Sequence, residues 1–255
     1  MPCFRYDGQI HVFAHVPKCG GTSVEDYLRQ KFGQLGYFNR PDPQRYYADV
    51  WGRCSPQHVP WQDFVSTIPQ EWIGQVFTVV RHPFDRFASA YNMRSTAPNE
   101  SVFSQLPPEE FFDWYLRFER DDPYFLDNHF RPQTDFFPAT AEVFKLEDGL
   151  DQVEAWLSHT FRIPGPVTGM GHNMKTPAPE SDGWIKEEMS RSLCTKLSAY
   201  YARDFEQLGY DEHPEKLPTL KWLGGRSSWQ RAIHKPLLMW RAKSHAKWAL
   251  RSLKR

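Results

Sequence analysis

Cysteine is scarce in this sequence, with four residues in 255, at positions 3, 19, 54 and 194. No two of them have the spacing of a paired metal-ligand motif, and their density is too low for a scaffold built on disulfides. We therefore expect free thiols in a reducing compartment. The sequence offers no other constellation of metal ligands, so we expect no metal cofactor.

Long apolar runs are missing as well. No run approaches the roughly 20 residues that a helix needs to cross a bilayer, and no leading segment combines a basic start, an apolar core and a small-residue cleavage site. These absences predict a soluble, cytoplasmic protein. With 40% hydrophobic and 16% aromatic residues, the composition excludes a disordered chain, and the length suits one domain with a full core.

Acidic side chains are missing from the C-terminal part of the chain. Residues 216–255 hold eleven Lys and Arg and no Asp or Glu, which leaves 20 basic and 31 acidic side chains in residues 1–215. We therefore divide the chain into a domain at 1–215 and a basic extension at 216–255. Four tryptophans interleave with the basic residues of the extension, namely Trp222, Trp229, Trp240 and Trp248.

The extension after Pro236 could form a basic amphipathic helix. Such a helix can lie on an anionic membrane surface, bind a polyanionic acceptor or dock on the acidic body of its own chain. The tryptophans favour a partly apolar partner, and so the membrane surface or the chain's own body. We expect peripheral membrane association at most, and no nucleic-acid partner.

The segment 15–24, His-Val-Pro-Lys-Cys-Gly-Gly-Thr-Ser-Val, predicts a turn between a strand and a helix. An apolar run leads into it, and the apolar residues that follow have the spacing of one helix face, namely Val24, Tyr27, Leu28 and Phe32. The strand should therefore end just before this segment, and the helix should begin within it.

The residues of this turn favour an anion. Gly20 and Gly21 allow the backbone to approach a ligand closely, and Thr22 or Ser23 could cap the helix. The free amides of a helix N-terminus beside Lys18 form an anion site. Lys18 precedes both glycines, whereas the Lys of the common nucleotide-binding loop follows the last glycine, so the order is wrong for an ordinary nucleotide kinase.

A second anion site is predicted after the β-branched run at 75–80, which is typical of a strand buried on both faces. Arg81 follows that run, at the carboxyl end of a central strand, where open α/β sheets place ligands. Pro83 suits the first turn of a helix. The buried stripe of this helix is Phe84, Phe87, Ala88 and Tyr91, which leaves Arg86 and Ser89 on another side. The Arg81 guanidinium could hold a phosphate by two parallel hydrogen bonds, and the Ser89 hydroxyl could add a third.

Together these two segments resemble the phosphate-binding motifs of sulfotransferases. Residues 17–23 are similar to the Pro-Lys-Thr-Gly-Gly-Thr-Ser loop that holds the 5′-phosphosulfate of 3′-phosphoadenosine 5′-phosphosulfate (PAPS), with Cys19 in the usual Thr position. Residues 79–91 resemble the 3′-phosphate motif, which implies that Arg81 and Ser89 bind the 3′-phosphate. The similarity spans roughly residues 10 to 210.

Cys54 to Trp61 contains the candidate base, His58, between two prolines. Transfer of a sulfuryl group to a hydroxyl needs a group that takes the hydroxyl's proton, and a histidine can do so near neutral pH. A lone histidine is more often structural. However, the segment resembles the one that carries the base in carbohydrate sulfotransferases of the family-2 type, which implies that His58 is catalytic.

The polar segment 128–135 would gather His129, Arg131 and Gln133 on one side if it were extended. It resembles a His-x-x-Pro-Gln segment that lies near the acceptor in family members, which implies substrate binding. A solvated polar loop is an equal alternative. His129 is also the second candidate for the base.

Residues 169–183 are rich in Gly, Pro and polar side chains and predict a loop that could cover the site. Sulfotransferases close such a loop over the nucleotide, which would bring Lys175 to the donor. The stretch Asn173-Met174-Lys175-Thr176 is one residue longer than the family's Asn-x-Ser pattern.

Strands and helices alternate along the chain in the βαβ manner. Further elements are predicted as a helix from Pro107 to Leu116, a strand at 141–146, a helix with its buried face at Leu150, Val153 and Leu157, and a final long helix from about Trp184 to Leu208. The expected fold is α/β, with three layers and a mostly parallel central sheet flanked by helices. The resemblance implies the P-loop-like fold of sulfotransferases.

The resemblance implies sulfuryl transfer from PAPS to an acceptor hydroxyl, with a carbohydrate or glycolipid favoured. Lys18 would neutralise the charge that gathers on the bridging oxygen, while His58 takes the proton. Two alternatives stay open. One is a phosphotransferase of the P-loop class, and the other is an inactive nucleotide-binding module at a membrane surface.

Overall fold

The computed structural model describes residues 1–39, 53–96, 105–165, 170 and 185–223. Its central sheet has four strands in the order β1 (Cys3–Tyr6), β2 (Gln9–Ala14), β3 (Ile73–Val80) and β4 (Glu142–Lys145). β2, β3 and β4 are parallel, and β1 pairs antiparallel with β2. The mostly parallel α/β sheet predicted from the sequence is confirmed.

The parallel strands end at one edge of the sheet. Ala14 pairs with Thr78 and Val80 pairs with Lys145, so the chain leaves β2, β3 and β4 on the same side. The Thr78 hydroxyl also donates to the Ala14 carbonyl at 2.7 Å, which ties the two inner strands together. The two predicted anion sites therefore lie on neighbouring strand ends.

Seven helices are described: α1 (Gly21–Phe32), α2 (Trp61–Val65), α3 (Pro83–Thr96), α4 (Pro108–Asp121), α5 (Asp151–Thr160), α6 (Arg191–Tyr200) and α7 (Ala202–Leu208). α1 and α5 pack with the sheet in one apolar core. α3, α4, α6 and α7 form a second core. The predictions of a helix that begins at Pro83, of one near 107–116 and of one after Leu150 are confirmed.

The prediction of one helix from about Trp184 to Leu208 is wrong. Ile185–Glu188 is a strand, β5, and it pairs antiparallel with a last strand, β6 (Thr219–Trp222). α6 begins only at Arg191 because the Ser190 hydroxyl caps it by accepting from the Leu193 amide at 3.1 Å. The buried stripe at Leu193 and Leu197 is real, but periodicity could not show where the helix begins.

The chain beyond the predicted boundary at 215 continues against the second core, where Leu217 and Leu220 are buried. The division at 215 stays a prediction. The predicted covering loop with Lys175 and the predicted helix after Pro236 lie outside the described residues. Among the described helices, none combines the length and apolarity that crossing a membrane requires.

Candidate active site

The first anion loop connects β2 to α1. Gly20 has a left-handed φ of 78° and is the N-cap of α1, which begins at Gly21. Thr22 and Ser23 lie inside the first turn, so the prediction that one of them caps the helix is wrong. A helix N-terminus leaves its first amides without the usual helical acceptors, and here the Ser23 amide donates to the Gly20 carbonyl at 3.1 Å. Binding of an anion by this loop stays a prediction.

Gly21 is required by its neighbours. A Cβ atom at position 21 would lie 2.1 Å from Nε2 of His15, far inside van der Waals contact. His15 itself is fixed, since its Nδ1 lies 2.6 Å from Oε1 of the buried Glu25. The loop therefore packs tightly against the His15 ring at position 21.

The side chain of Lys18 extends from the loop to α3. The φ of Lys18 is 71°, and its Nζ lies 3.4 Å from the Met93 sulfur. Burial, together with the nearby charges of Arg81 and Arg94, lowers the pKa of Lys18 to about 8. This lysine is a cation near neutral pH that forms no ion pair with any of the described residues.

Lys18, Arg81 and Ser89 line one cleft of about 790 Å³. Three residues predicted to bind the donor are therefore brought together: one from the loop after β2, one from the end of β3 and one from the second turn of α3. The other predicted residues of the first loop are not among those that line the cleft, namely Cys19, Gly20, Gly21, Thr22 and Ser23. The Cys19 thiol is buried, lies 3.5 Å from Oε1 of Gln133, and has its pKa raised to about 12 by burial. Cys19 can contribute only its backbone to a ligand.

Arg86, also in α3, is not among the residues that line the cleft. It is fully buried, and its guanidinium donates to the carbonyls of His129 and Arg131 and lies 5.3 Å from the ring of Tyr201. The prediction that Arg86 shares an unburied side with Ser89 is wrong. A buried arginine is tolerated here because main-chain carbonyls accept its hydrogen bonds.

The segment 128–135 is not extended, so the prediction that His129, Arg131 and Gln133 share one side is wrong. The chain forms short 3₁₀ turns at Phe125–Asn128 and Gln133–Asp135. Arg131 donates from Nε to Asp135 at 2.9 Å and from Nη1 to the Pro123 carbonyl at 3.1 Å.

Gln133 is fully buried and holds Arg81 in place. Its Oε1 accepts from the Arg81 amide at 2.9 Å, and its Nε2 donates to the Arg81 carbonyl at 2.8 Å. The backbone N–H of Gln133 in turn donates to the Asp204 carboxylate at 2.8 Å. The side-chain amide of Gln133 thus fixes the backbone at the end of β3.

His58 is held by a carboxylate that sequence reasoning missed. His58 ends a 3₁₀ turn (Pro56–His58), and its Nδ1 lies 2.8 Å from Oδ2 of Asp127 and 3.0 Å from the Ser55 hydroxyl. Ser55 donates to the same carboxylate from its amide at 2.6 Å and from its hydroxyl at 2.8 Å. None of the described residues forms a hydrogen bond with Nε2 of His58. That nitrogen is therefore available to contact a ligand.

The charge of Asp127 is stabilised by its partners. Burial alone would raise the pKa of Asp127, but His58, His129 and the Ser55 amide together lower it well below its usual range. Asp127 is therefore ionised at neutral pH and accepts the proton on Nδ1 of His58.

An unusual backbone aims Asp127 at His58. Leu126, Asp127 and Asn128 have consecutive left-handed φ angles of 53°, 58° and 60°. Such residues cost on the order of 1 to 3 kcal/mol each and persist where surrounding contacts determine them. Here Asn128 Nδ2 donates to the His58 carbonyl at 2.8 Å, which joins the two turns a second time.

His129 lies beside His58, with ring centroids 4.9 Å apart. Burial, the charge of Arg94 and the proximity of His58 lower the pKa of His129 well below its ordinary value. Its Nδ1 lies 3.0 Å from the Leu126 carbonyl and 3.3 Å from Nη2 of Arg94. Arg94, which sequence reasoning also missed, thus lies among His129, Leu126 and Lys18. Of these two histidines, only His58 has a carboxylate as hydrogen-bond partner among the described residues.

The ligand atoms of His58, Asp127 and His129 lie within 4.8 Å of one another and could hold a metal ion. However, Asp127 already accepts three hydrogen bonds, and the Arg94 guanidinium next to His129 would repel a cation. The arrangement fits a hydrogen-bonded pair of His58 and Asp127 better than a metal centre.

Comparison with known families gives a match to the model of the Sulfotransferase family (Sulfotransfer_2) over residues 6–211. The matched range contains both anion loops, the His58 segment and Asp127. No curated protein and no solved structure matches the chain.

Proposed function

The chain belongs to the sulfotransferase family, and from that premise we propose that it transfers a sulfuryl group from PAPS to an acceptor hydroxyl. The donor would lie in the cleft lined by Lys18, Arg81 and Ser89. Its 5′-phosphosulfate would rest on the amides at 20–23 beside Lys18. Its 3′-phosphate would rest on Arg81 and Ser89, with Arg81 held in place by Gln133.

The proposed reaction is an in-line displacement at sulfur. The acceptor oxygen forms a bond to sulfur while the bond from sulfur to the bridging oxygen breaks, and adenosine 3′,5′-bisphosphate leaves. The acceptor proton passes to Nε2 of His58. Lys18 stabilises the negative charge that develops on the bridging oxygen, so electrostatic placement supplies most of the catalysis, as in phosphoryl transfer.

The observation that carries this proposal is the hydrogen-bonded pair of His58 and Asp127. The pair does not itself line the cleft, but His129, which packs against His58, is within the electrostatic influence of Lys18 in the cleft. Asp127 accepts the proton on Nδ1 and so leaves the lone pair on Nε2, which is the arrangement a base requires. The same carboxylate stabilises the imidazolium after proton transfer. Asp127 is thus a positioning residue, while His58 touches the acceptor.

For the acceptor we propose a carbohydrate or glycolipid hydroxyl, supported by the likeness of the His58 segment to carbohydrate sulfotransferases. His129 and Arg131 would lie on the acceptor side, since the ring of His129 packs against His58. The buried amide of Gln133 is already occupied by Arg81 and Cys19, so we assign Gln133 to the support of Arg81.

A phosphotransferase fits the described residues less well. Such an enzyme would need a carboxylate for Mg²⁺ at a strand end. The carboxylate after β4, Glu147, instead accepts from the His82 amide at 2.7 Å and from the Tyr210 hydroxyl at 3.0 Å. An inactive binding module would have no need of a base as closely held as His58.

Transfer of label tests the proposal. The protein is incubated with sulfur-labelled PAPS or with γ-labelled ATP and a panel of saccharide, glycolipid and phenolic acceptors. We expect label from PAPS and none from ATP, and the preferred acceptor identifies the class. The variant His58→Ala should lose turnover and still bind adenosine 3′,5′-bisphosphate in calorimetry. Transfer from ATP, or full turnover by His58→Ala, would contradict the mechanism.

A further inference from the structure

One wall of the cleft is formed by residues outside the range that matches the family. The match to the family ends at residue 211, yet the residues lining the cleft include Lys216 to Thr219 and Lys221. They belong to β6 and to the segment that leads into it. Part of the donor cleft is therefore built from the chain beyond the matched range.

This wall is fixed to α3 by three hydrogen bonds, which involve the side chains of Asn92 and Ser95. The Lys221 amide donates to Oδ1 of Asn92 at 2.8 Å, and Nδ2 of Asn92 donates to the Thr219 carbonyl at 3.1 Å. The Ser95 hydroxyl donates to the Lys221 carbonyl at 2.8 Å. Asn92 lies about one helical turn beyond Ser89, so β6 runs beside the part of α3 that the 3′-phosphate motif occupies.

The charges of the cleft are strongly unbalanced. Four cations line it, Lys18, Arg81, Lys216 and Lys221, against the single carboxylate of Asp85. Within the described ranges, none of the four forms an ion pair. A cleft of this charge selects a ligand with several negative charges, because like charges left unpaired repel one another. PAPS carries anionic groups at both its 3′ and its 5′ position.

We propose that Lys216 and Lys221 bind the 3′-phosphate end of the donor and so make the cleft select 3′-phosphorylated adenine nucleotides. This inference rests on the proposed function. Lys18 serves the opposite, 5′ end from the loop after β2. The backbone amide of Lys221 is held by Asn92, one helical turn beyond Ser89, and Lys221 lines the same cleft as Ser89 and Arg81. Its charge would therefore act on the phosphate that these two residues bind.

Calorimetric titration with adenosine 3′,5′-bisphosphate and with adenosine 5′-phosphate tests the proposal. The double variant Lys216→Gln with Lys221→Gln should weaken binding of the bisphosphate by about tenfold or more, and that of the monophosphate by less than about threefold. The matched control is Lys186→Gln, on exposed β5 opposite Lys221 in the pairing, which should leave both affinities unchanged.

The outcomes separate the two proposals. If the unaltered protein fails to bind the bisphosphate, the proposed donor is wrong and this inference falls with it. If the unaltered protein binds it and the double variant binds equally well, only the role of the two lysines is overturned. An equal loss for both nucleotides would overturn the assignment to the 3′-phosphate. Circular dichroism and the unfolding temperature of each variant verify that it is folded.

Discussion

At the scale of single residues, the reactivity of His58 depends on the carboxylate behind it. Asp127 accepts from Ser55 on one oxygen, and from Ser55 and His58 on the other. In the variant Asp127→Asn, one of these oxygens becomes an NH₂ group, which must face a donor. If it faces His58, the proton moves to Nε2 and the base is lost.

We therefore expect Asp127→Asn to lower kcat by about 10² to 10⁴ while changing the affinity for adenosine 3′,5′-bisphosphate less than about twofold. Steady-state kinetics and calorimetry measure the two quantities. Asp7→Asn is a matched control, since Asp7 also has a left-handed φ, 47°, but lies exposed in the turn between β1 and β2. An unchanged kcat would remove Asp127 from the mechanism, and a parallel loss of affinity would indicate a structural role.

Lys18 gives the site a pH dependence. Because burial lowers its pKa to about 8, the ammonium is present at pH 7 and is lost as the pH rises through about 8 in the free protein. A bound phosphate favours the ammonium, so binding should weaken as the proton is lost. The phosphates themselves titrate near pH 6 and stay fully charged in this window.

The dissociation constant of adenosine 3′,5′-bisphosphate should accordingly rise by up to about tenfold per pH unit above pH 8. The variant Lys18→Arg keeps its charge and should give a flat profile between pH 7 and pH 9.5, although its affinity differs. Calorimetry across this range measures both profiles. The same slope in the variant would assign the titration to another group.

The sequence already indicates the residues whose role depends on their position next to an element end. Lys18 and Arg81 follow buried strands, and Ser89 lies two turns into α3, so parallel strand ends brought them together as predicted. Asp127 and Gln133 could not be identified in this way. Asp127 reaches His58 through three left-handed residues, which no period describes, and Gln133 reaches Arg81 through a tertiary contact.

At the scale of elements, the start of α1 makes a test of packing against propensity. Replacing a helical glycine by alanine normally stabilises a helix by about 1 kcal/mol. At Gly21 the added Cβ would lie 2.1 Å from Nε2 of His15, whose ring is tied to Glu25. The clash should outweigh the gain in propensity.

Gly21→Ala should therefore lower the unfolding temperature, against the direction that propensity alone gives. Chemical denaturation supplies the free energy of unfolding. Gly8→Ala is the comparison, since position 8 has open space but a left-handed φ of 79°, so that variant measures backbone strain without a clash. A Gly21→Ala variant more stable than the native protein would show that the loop can move away from His15.

Periodicity predicted the inner strands and the amphipathic helices because each of them buries apolar residues that recur at a regular spacing within one segment. It gave no sign of β5 and β6. β5, with the sequence Ile-Lys-Glu-Glu, is exposed along its length and forms only because β6, some thirty residues later, pairs with it. A strand without an apolar pattern of its own is defined by its partner, which the sequence alone does not reveal.

At the scale of the whole molecule, the described residues beyond position 211, 212–223, are part of the folded body. Leu217 and Leu220 lie in the second core with α3 and α6, and β6 closes one wall of the cleft. The distribution of charge along the sequence, taken alone, separates residues 216–255 from the rest of the chain. In the described part of that segment, Lys216 and Lys221 line the cleft, while Leu217 and Leu220 are buried in the second core.

Two leucines of this segment differ in burial, and their substitution can therefore be compared. Leu220 is 1% exposed, whereas Leu223, just past the end of β6, is 41% exposed. Leu220→Ala should lower the free energy of unfolding by about 2 to 4 kcal/mol, because it leaves a cavity between β6 and α3. Leu223→Ala should change it by less than about 0.5 kcal/mol.

Urea denaturation of the full chain measures both variants, and their bisphosphate affinity links stability to the site. Because Leu220 lies between Thr219 and Lys221, loosening it should also release the lysine from Asn92 and weaken binding, while the exposed leucine leaves binding intact. Equal stability of the two variants would mean that β6 only rests on the surface of the body. In that case the lysines would lack the fixed position that selection of the 3′-phosphate requires.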